Sequence, residues 1–243
     1  MRLKNKKAII TGGGTGIGRA ITERFCKEGA QVIIADRGSG KKTAEQIPGS
    51  TFYETDVSDE NSINETISKL DEIDIVVNNA GAFIFGSIEN VSTEDWTKAI
   101  NVNILGYANT IKVALPYLKE SNSGAIVNIA SISSFKAQPN FLPYSTSKGA
   151  ILQLTKCLAL DLGCYNIRVN SVSPGTICTD AIKKIMNTFG IDYNEGIKKL
   201  SQETIMKRIG TPDEVANGVL FLASEEASYI TGTNLIIDGG ASI

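Results

Sequence analysis

Residues 11–18 read Thr-Gly-Gly-Gly-Thr-Gly-Ile-Gly, between an apolar run at 6–10 and an amphipathic stretch at 17–28. A turn this rich in glycine admits backbone shapes that a Cβ forbids. Between a strand and a helix it lets the chain reverse tightly. It also leaves the first helical N–H groups free to face an anion. This arrangement predicts the first crossover of a parallel sheet and a pyrophosphate-binding turn. Gly12, Gly16 and Gly18 give a GxxxGxG spacing rather than the strict G-x-G-x-x-G. No Lys-Ser/Thr pair follows, so the loop is not of the Walker type. Thr11, Gly12, Thr15, Gly16, Ile17 and Gly18 are its candidate ligand contacts.

The rest of the chain repeats the same unit. Strand patterns fall at 6–10, 31–36, 50–54, 73–81, 124–131, 167–175 and 234–240. Helical patterns fall at 17–28, 40–47, after a Ser58 N-cap, at 92–118, 144–162 and 211–224. The unbroken apolar run Val32–Ala35 suits a parallel strand covered on both faces. Regular alternation predicts one doubly wound α/β domain over residues 1–243, a mostly parallel seven-stranded sheet with helices on both faces. The polar, irregular segment 176–210 carries two short helical patterns and is expected to form a lid.

Composition removes several functions. A net charge of -2 leaves no basic field for nucleic acid. No apolar run approaches the ~20 residues that span a bilayer, and no secretory signal is apparent. Cys26, Cys157, Cys164 and Cys178 show no CxxC spacing, which fits a reducing, cytoplasmic setting and no metal site. The chain has no histidine, so acid–base work falls to Asp, Glu, Lys, Tyr or Cys with a shifted pKa, or to the amino terminus.

Asp36 ends the second strand pattern, where a carboxylate can accept both hydroxyls of an adenosine ribose. The same charge repels a 2′-phosphate, whereas Arg37 can pair with one. Asp36 therefore favours NAD, with NADP less suitable. Asp56 and Val57 follow the third strand and are candidates for the adenine site. Asn78-Asn79-Ala80-Gly81 closes the fourth. Two adjacent amides there suit loop backbone and ligand edges better than a dry core. Tyr144 and Lys148 stand one helical turn apart. A tyrosine is a poor base at neutral pH unless a nearby cation lowers its pKa near 10. Ser131, at the end of the fifth strand, can hold a substrate oxygen.

These pieces occur together and in order, and the chain resembles the classical short-chain dehydrogenase/reductase family over nearly its full length. TGGGTGIG resembles that family's TGxxxGIG loop, and Asn78–Gly81 its NNAG motif. Asn103, within INVNILG, matches the catalytic asparagine. Ser131 lies thirteen residues before Tyr144, the usual serine spacing. The resemblance implies a Rossmann-type domain and hydride transfer to or from the pro-S face of a nicotinamide. Tyr144 would move the substrate proton, and Lys148 would bind the nicotinamide ribose and lower the tyrosine pKa. Ser131 would orient the substrate oxygen, and Asn103 would hold a water through its backbone carbonyl. It also implies contacts from Asn79, Ala80, Gly81, Pro174, Gly175, Ile177 and Thr179, with Ile177 on the carboxamide. A homotetramer is implied, built on the long fourth and fifth helices and on the seventh-strand region.

The expected partner is a small secondary alcohol or ketone, such as a sugar, polyol or cyclic alcohol. Pocket candidates are Phe83, Ile84, Phe85, Phe135, Phe141, Leu142, Met186, Gln138 and Asn140, with Lys136 expected in solvent. An NADPH-dependent 3-oxoacyl or carbonyl reductase is the first alternative, and a non-catalytic nucleotide-sensing protein the second.

Overall fold

Successive strand residues point to opposite faces of a sheet, and the apolar runs of this chain place hydrophobic side chains on both. In the computed structural model, which describes residues 1–243, the strands are β1 (Lys7–Thr11), β2 (Gln31–Asp36), β3 (Ser50–Glu54), β4 (Ile75–Asn78), β5 (Ala125–Ile129), β6 (Arg168–Pro174) and β7 (Asn234–Ile237). They form one seven-stranded sheet in the order β3-β2-β1-β4-β5-β6-β7. Every neighbouring pair is parallel.

The helices are α1 (Gly16–Lys27), α2 (Ser39–Gln46), α3 (Glu60–Ile67), α4 (Thr93–Ile100), α5 (Gly106–Glu120), α6 (Leu142–Leu162), α7 (Asp180–Thr188), α8 (Tyr193–Gln202) and α9 (Pro212–Ala223). Ala8, Ile10, Val32, Ile34, Ile75 and Val77 pack on one side against Ile21 and Phe25 of α1 and Val215, Val219 and Leu220 of α9. The residues between them, Ile9, Ile33 and Val76, pack on the other side against Ile63 of α3, Ile111 and Leu118 of α5 and Leu162 of α6. The two cores account for the continuous apolar strands, as a sheet covered on both faces requires.

Three local departures from the sequence reading have simple causes. Asp59, not Ser58, caps α3 by accepting from the Asn61 amide. Ser58 instead donates its amide and hydroxyl to the Asp56 carboxylate. The 92–118 pattern is one rod interrupted by a wide π turn at Asn101–Leu105, where the Gly106 amide bonds the carbonyl of Asn101. Asn78 lies fully in the core, where its amide donates to Asn128 and Asn128 donates to Thr155. A dry core holds such an amide when each donor finds an acceptor.

Segment 176–210 folds as anticipated into two short helices, α7 and α8. Thr211 caps α9 through a reciprocal box with Glu214, with Pro212 in the first turn. Thr211→Ala is expected to lower unfolding free energy by about 1 kcal/mol, the usual worth of an N-cap. Urea denaturation followed by circular dichroism checks this.

Candidate active site

Strand order reverses direction between β1 and β4, since β2 leaves β1 on one side and β4 lies on the other. Such a switch point opens a crevice at the carboxyl ends of the strands. Here it holds a cavity of about 760 Å³.

The glycine loop forms its floor. Gly12 and Gly16 have φ of 64° and 52°, values that side chains resist. A Cβ on Gly18 would lie 2.0 Å from the Gly12 carbonyl oxygen. The loop is pinned from several directions. Asn79 donates to the carbonyls of Thr11 and Gly12 at 3.1 and 3.0 Å. Thr11 accepts the amides of Asn79 and Ala80 through its hydroxyl. Asp36 accepts from the Gly14 amide at 3.0 Å and from the Ser39 hydroxyl at 2.9 Å. Beyond it, Arg37 pairs loosely with Asp56 at 3.8 Å, both partly in solvent. Burial pushes the Asp56 carboxyl up, but bonds from Ser58 and the charge of Arg37 outweigh it, and the group ends below its usual range.

Ser131, Tyr144 and Lys148 meet at the middle of the cavity. Ser131 follows β5 and caps a short 3-10 turn by accepting from the Ser133 amide at 3.1 Å. Pro143 occupies the first turn of α6, which carries Tyr144 and Lys148 inward, 7% and 4% exposed. Burial pushes the Tyr144 phenol up to about 12, opposed by a hydrogen bond with Ser131. Burial also pulls the Lys148 ammonium down to about 7. The expected lowering of the tyrosine by the lysine is therefore not what this arrangement shows. The Lys148 nitrogen is turned to the Ile129 carbonyl at 2.7 Å and the Tyr107 hydroxyl at 3.2 Å. It stands 6.0 Å from the centre of the Tyr144 ring.

Of the catalytic and cofactor-site candidates, Asn103 and Thr11 do not line the cavity; each is at most 1% exposed. Both act from behind. Asn103 accepts from the Ala82 amide at 2.7 Å and donates to the Ala82 carbonyl and the Ser147 hydroxyl. Ser147 donates onward to the Tyr144 carbonyl at 2.7 Å. All the other selected residues, from Gly12 to Thr179, line the cavity.

Sequence reasoning missed Tyr107, which holds Lys148 and donates to the Ile129 carbonyl. Its spacing of four from Asn103 was the available signal. It also missed the use of Ser147. Of the pocket candidates, Phe83, Gln138, Phe141 and Met186 line the cavity, whereas Ile84, Phe85, Phe135, Asn140 and Leu142 do not. Lys136 was expected in solvent, but it lines the cavity and donates to the Ala241 carbonyl.

The arrangement fits a dinucleotide. Side-chain-free backbone faces the α1 N-terminus, as a pyrophosphate needs, and a carboxylate and a guanidinium stand where a ribose would lie.

Comparison with known proteins agrees. A family profile described as enoyl-(acyl carrier protein) reductase matches residues 12–242. The chain is 37% identical to a 3-oxoacyl-[acyl-carrier-protein] reductase of Thermotoga maritima, covering 100% of both chains. It is also 37% identical to an NADP-dependent (R)-specific alcohol dehydrogenase of Lentilactobacillus kefiri, over 98% of this chain and 97% of that one. The structure of a ligand-free aldohexose dehydrogenase of Thermoplasma acidophilum superposes with a TM-score of 0.91 at 39% identity, covering 99% of this chain and 95% of the other.

These relatives overturn the expectation that NADP is the less suitable cofactor, because an NADP-dependent enzyme stands among them at full-length similarity. The geometry gives a reason. Both Asp36 oxygens already accept hydrogen bonds from the protein, and Arg37 lines the same end of the cavity. Asp36 is thus not a free charge set only against a phosphate.

Gly18→Ala should abolish dinucleotide binding, because the added carbon displaces the loop backbone. Titration by nicotinamide fluorescence, with the far-UV spectrum retained, checks it.

Proposed function

The chain belongs to the short-chain dehydrogenase/reductase family, and from that premise we propose that Ser131, Tyr144 and Lys148 carry out hydride-coupled interconversion of a secondary alcohol and its ketone, with NAD or NADP. The observation that carries this reading is the meeting of a buried phenol, a buried amine and a serine hydroxyl beside the glycine loop. When bound, the dinucleotide supplies C4 of its nicotinamide as hydride acceptor or donor.

The chain's own residues do the rest. The Gly12–Gly18 loop and the α1 N-terminus hold the pyrophosphate, Asp36 and Arg37 the adenosine ribose, and Asp56 and Val57 the adenine. Asn79–Gly81, Pro174, Gly175, Ile177 and Thr179 set the nicotinamide end. Ser131 donates to the substrate oxygen and fixes it against Tyr144. In oxidation the Tyr144 phenolate takes the alcohol proton at its hydroxyl oxygen. In reduction the phenol gives it back. Lys148 would hold the nicotinamide ribose and, when protonated, supplies positive charge that favours the phenolate. Asn103 holds the Ala82 loop and, through Ser147, the first turn of α6, so its side chain positions Tyr144. Its backbone carbonyl is the proposed water anchor. Segment 176–210 acts as the lid over the substrate.

No helix is long and apolar enough to cross a membrane. Four free cysteines support a cytoplasmic setting. A homotetramer through the α4–α5 rod, α6 and the β7 region is supported by exposed Ile100, Leu105, Leu160 and Ile236.

Tyr144→Phe is expected to bind dinucleotide normally and lose about 10²–10⁴-fold in kcat, the range for a general acid–base group. Near-normal turnover at 340 nm would remove Tyr144 from the proton path. Ser131→Ala removes the bond that lowers the tyrosine pKa. Oxidation requires the phenolate, so its rising pH limb should move to higher pH. A pH series of kcat/KM reads the shift.

A further inference from the structure

The distal end of the cavity is carbon. Phe83 stacks on the Tyr144 ring with centres 5.1 Å apart and planes at 19°. Phe189, at the end of α7, also lines the cavity, nearly parallel to Phe141 at 6.5 Å. Ile185 and Met186 continue the same lining from α7. Phe83 and Phe189 remain 46% and 39% exposed although both line the cavity. Large aromatic surface left open beside a reacting group calls for an apolar partner.

Charged groups at this end are few and committed elsewhere. Lys136 is held by the Ala241 carbonyl. Asp180, Lys199 and Glu203 also line the cavity but stand exposed at its rim. A hydroxyl group packed on Phe83, Phe189 and Met186 gains no hydrogen bond from those side chains, so the water it loses there is not replaced by them. Arg37 is the arginine of the cavity and belongs to the adenosine end.

We propose that the substrate bears a bulky apolar substituent, a ring or branched chain, on the reacting carbon, seated between Phe83 and the α7 face, and that Phe83 is the residue that selects it. This rests on the hydride-transfer reading above and adds a substrate class to it. Phe83 would act twice. Its face packs the substituent, and its stack on Tyr144 sets how far that substituent stands from the phenol oxygen.

The test is steady-state kcat/KM at 340 nm with each cofactor for acetophenone, cyclohexanone, acetoin and glucose, the last in the oxidative direction. Wild-type protein is expected to favour acetophenone and cyclohexanone over acetoin and glucose by more than about tenfold, a step that apolar-pocket contacts supply. Phe83→Ala should collapse the acetophenone-to-acetoin ratio by roughly tenfold, and Phe83→Tyr, which keeps the ring, should restore it. A wild-type preference for acetoin or glucose would overturn the proposal and leave the hydride-transfer reading standing. So would a Phe83→Ala variant that lowers every ketone equally, which marks a role in propping Tyr144 alone. Absence of turnover with all four compounds, with dinucleotide binding intact, would sink the reading and the proposal together.

Discussion

Covering a parallel sheet on both faces leaves only the ends of its strands to meet a ligand. That constraint organises this molecule. The two cores seal β1, β2, β4, β5 and β6 so completely that Ile10, Ile34, Val76, Val77, Ile126 and Val127 are 0% exposed. Backbone groups are exhausted along the ladders. What remains is the row of residues at or just past the strand ends: Asp36, Asn79, Ser131 and Gly175. The strand order then decides where that row parts. Because β1 is flanked by β2 and β4, the helices that follow β1 and β4 leave toward opposite faces, and the crevice opens between them.

Within the crevice, the costliest residue is Lys148. An amine this deep loses most of its hydration. The structure offsets that loss with one carbonyl at the end of β5 and one phenol from α5. Neither is a carboxylate, so no partner holds the proton in place, and the amine sits with a pKa of about 7. A fixed salt bridge would have stabilised the charge and taken the amine out of use. The same low-dielectric setting presses Tyr144 the other way. The two groups are therefore both displaced toward their neutral forms, and any added charge nearby acts on both with little water to screen it.

Much of this was legible in the chain. Short continuous apolar runs and period-3.6 patterns marked all seven strands and the major helices, because buried parallel strands and amphipathic helices leave strong signatures. The glycine loop, Asp36 and the 144/148 pair were legible because each stands at an element boundary. The protonation balance was not, since it depends on burial, which spacing does not encode. Nor were the uses of Tyr107, Ser147 and Asn78. A phenol, a hydroxyl and an amide in apolar surroundings look like ordinary core or surface residues until their partners are known. NADP was misjudged for the same reason. Asp36 was weighed as a charge free to repel a 2′-phosphate, with Arg37 set against it, but its oxygens are already engaged by Gly14 and Ser39.

The wide turn at Asn101–Leu105 has a meaning for the rod that contains it. Ile111, Ala114 and Leu118 of α5 must face the sheet, while Asn103, within the turn, must reach the Ala82 backbone and the Ser147 hydroxyl behind the crevice. A strictly regular helix keeps one angular step per residue and serves one such demand well. The i→i−5 bond from Gly106 to Asn101 inserts a phase shift between the two. The rod thereby becomes two instruments tuned to different neighbours yet joined without a loop. Asn103, carried by that turn, ties the joint of the rod to the Ala82 backbone and, through Ser147, to the backbone of Tyr144.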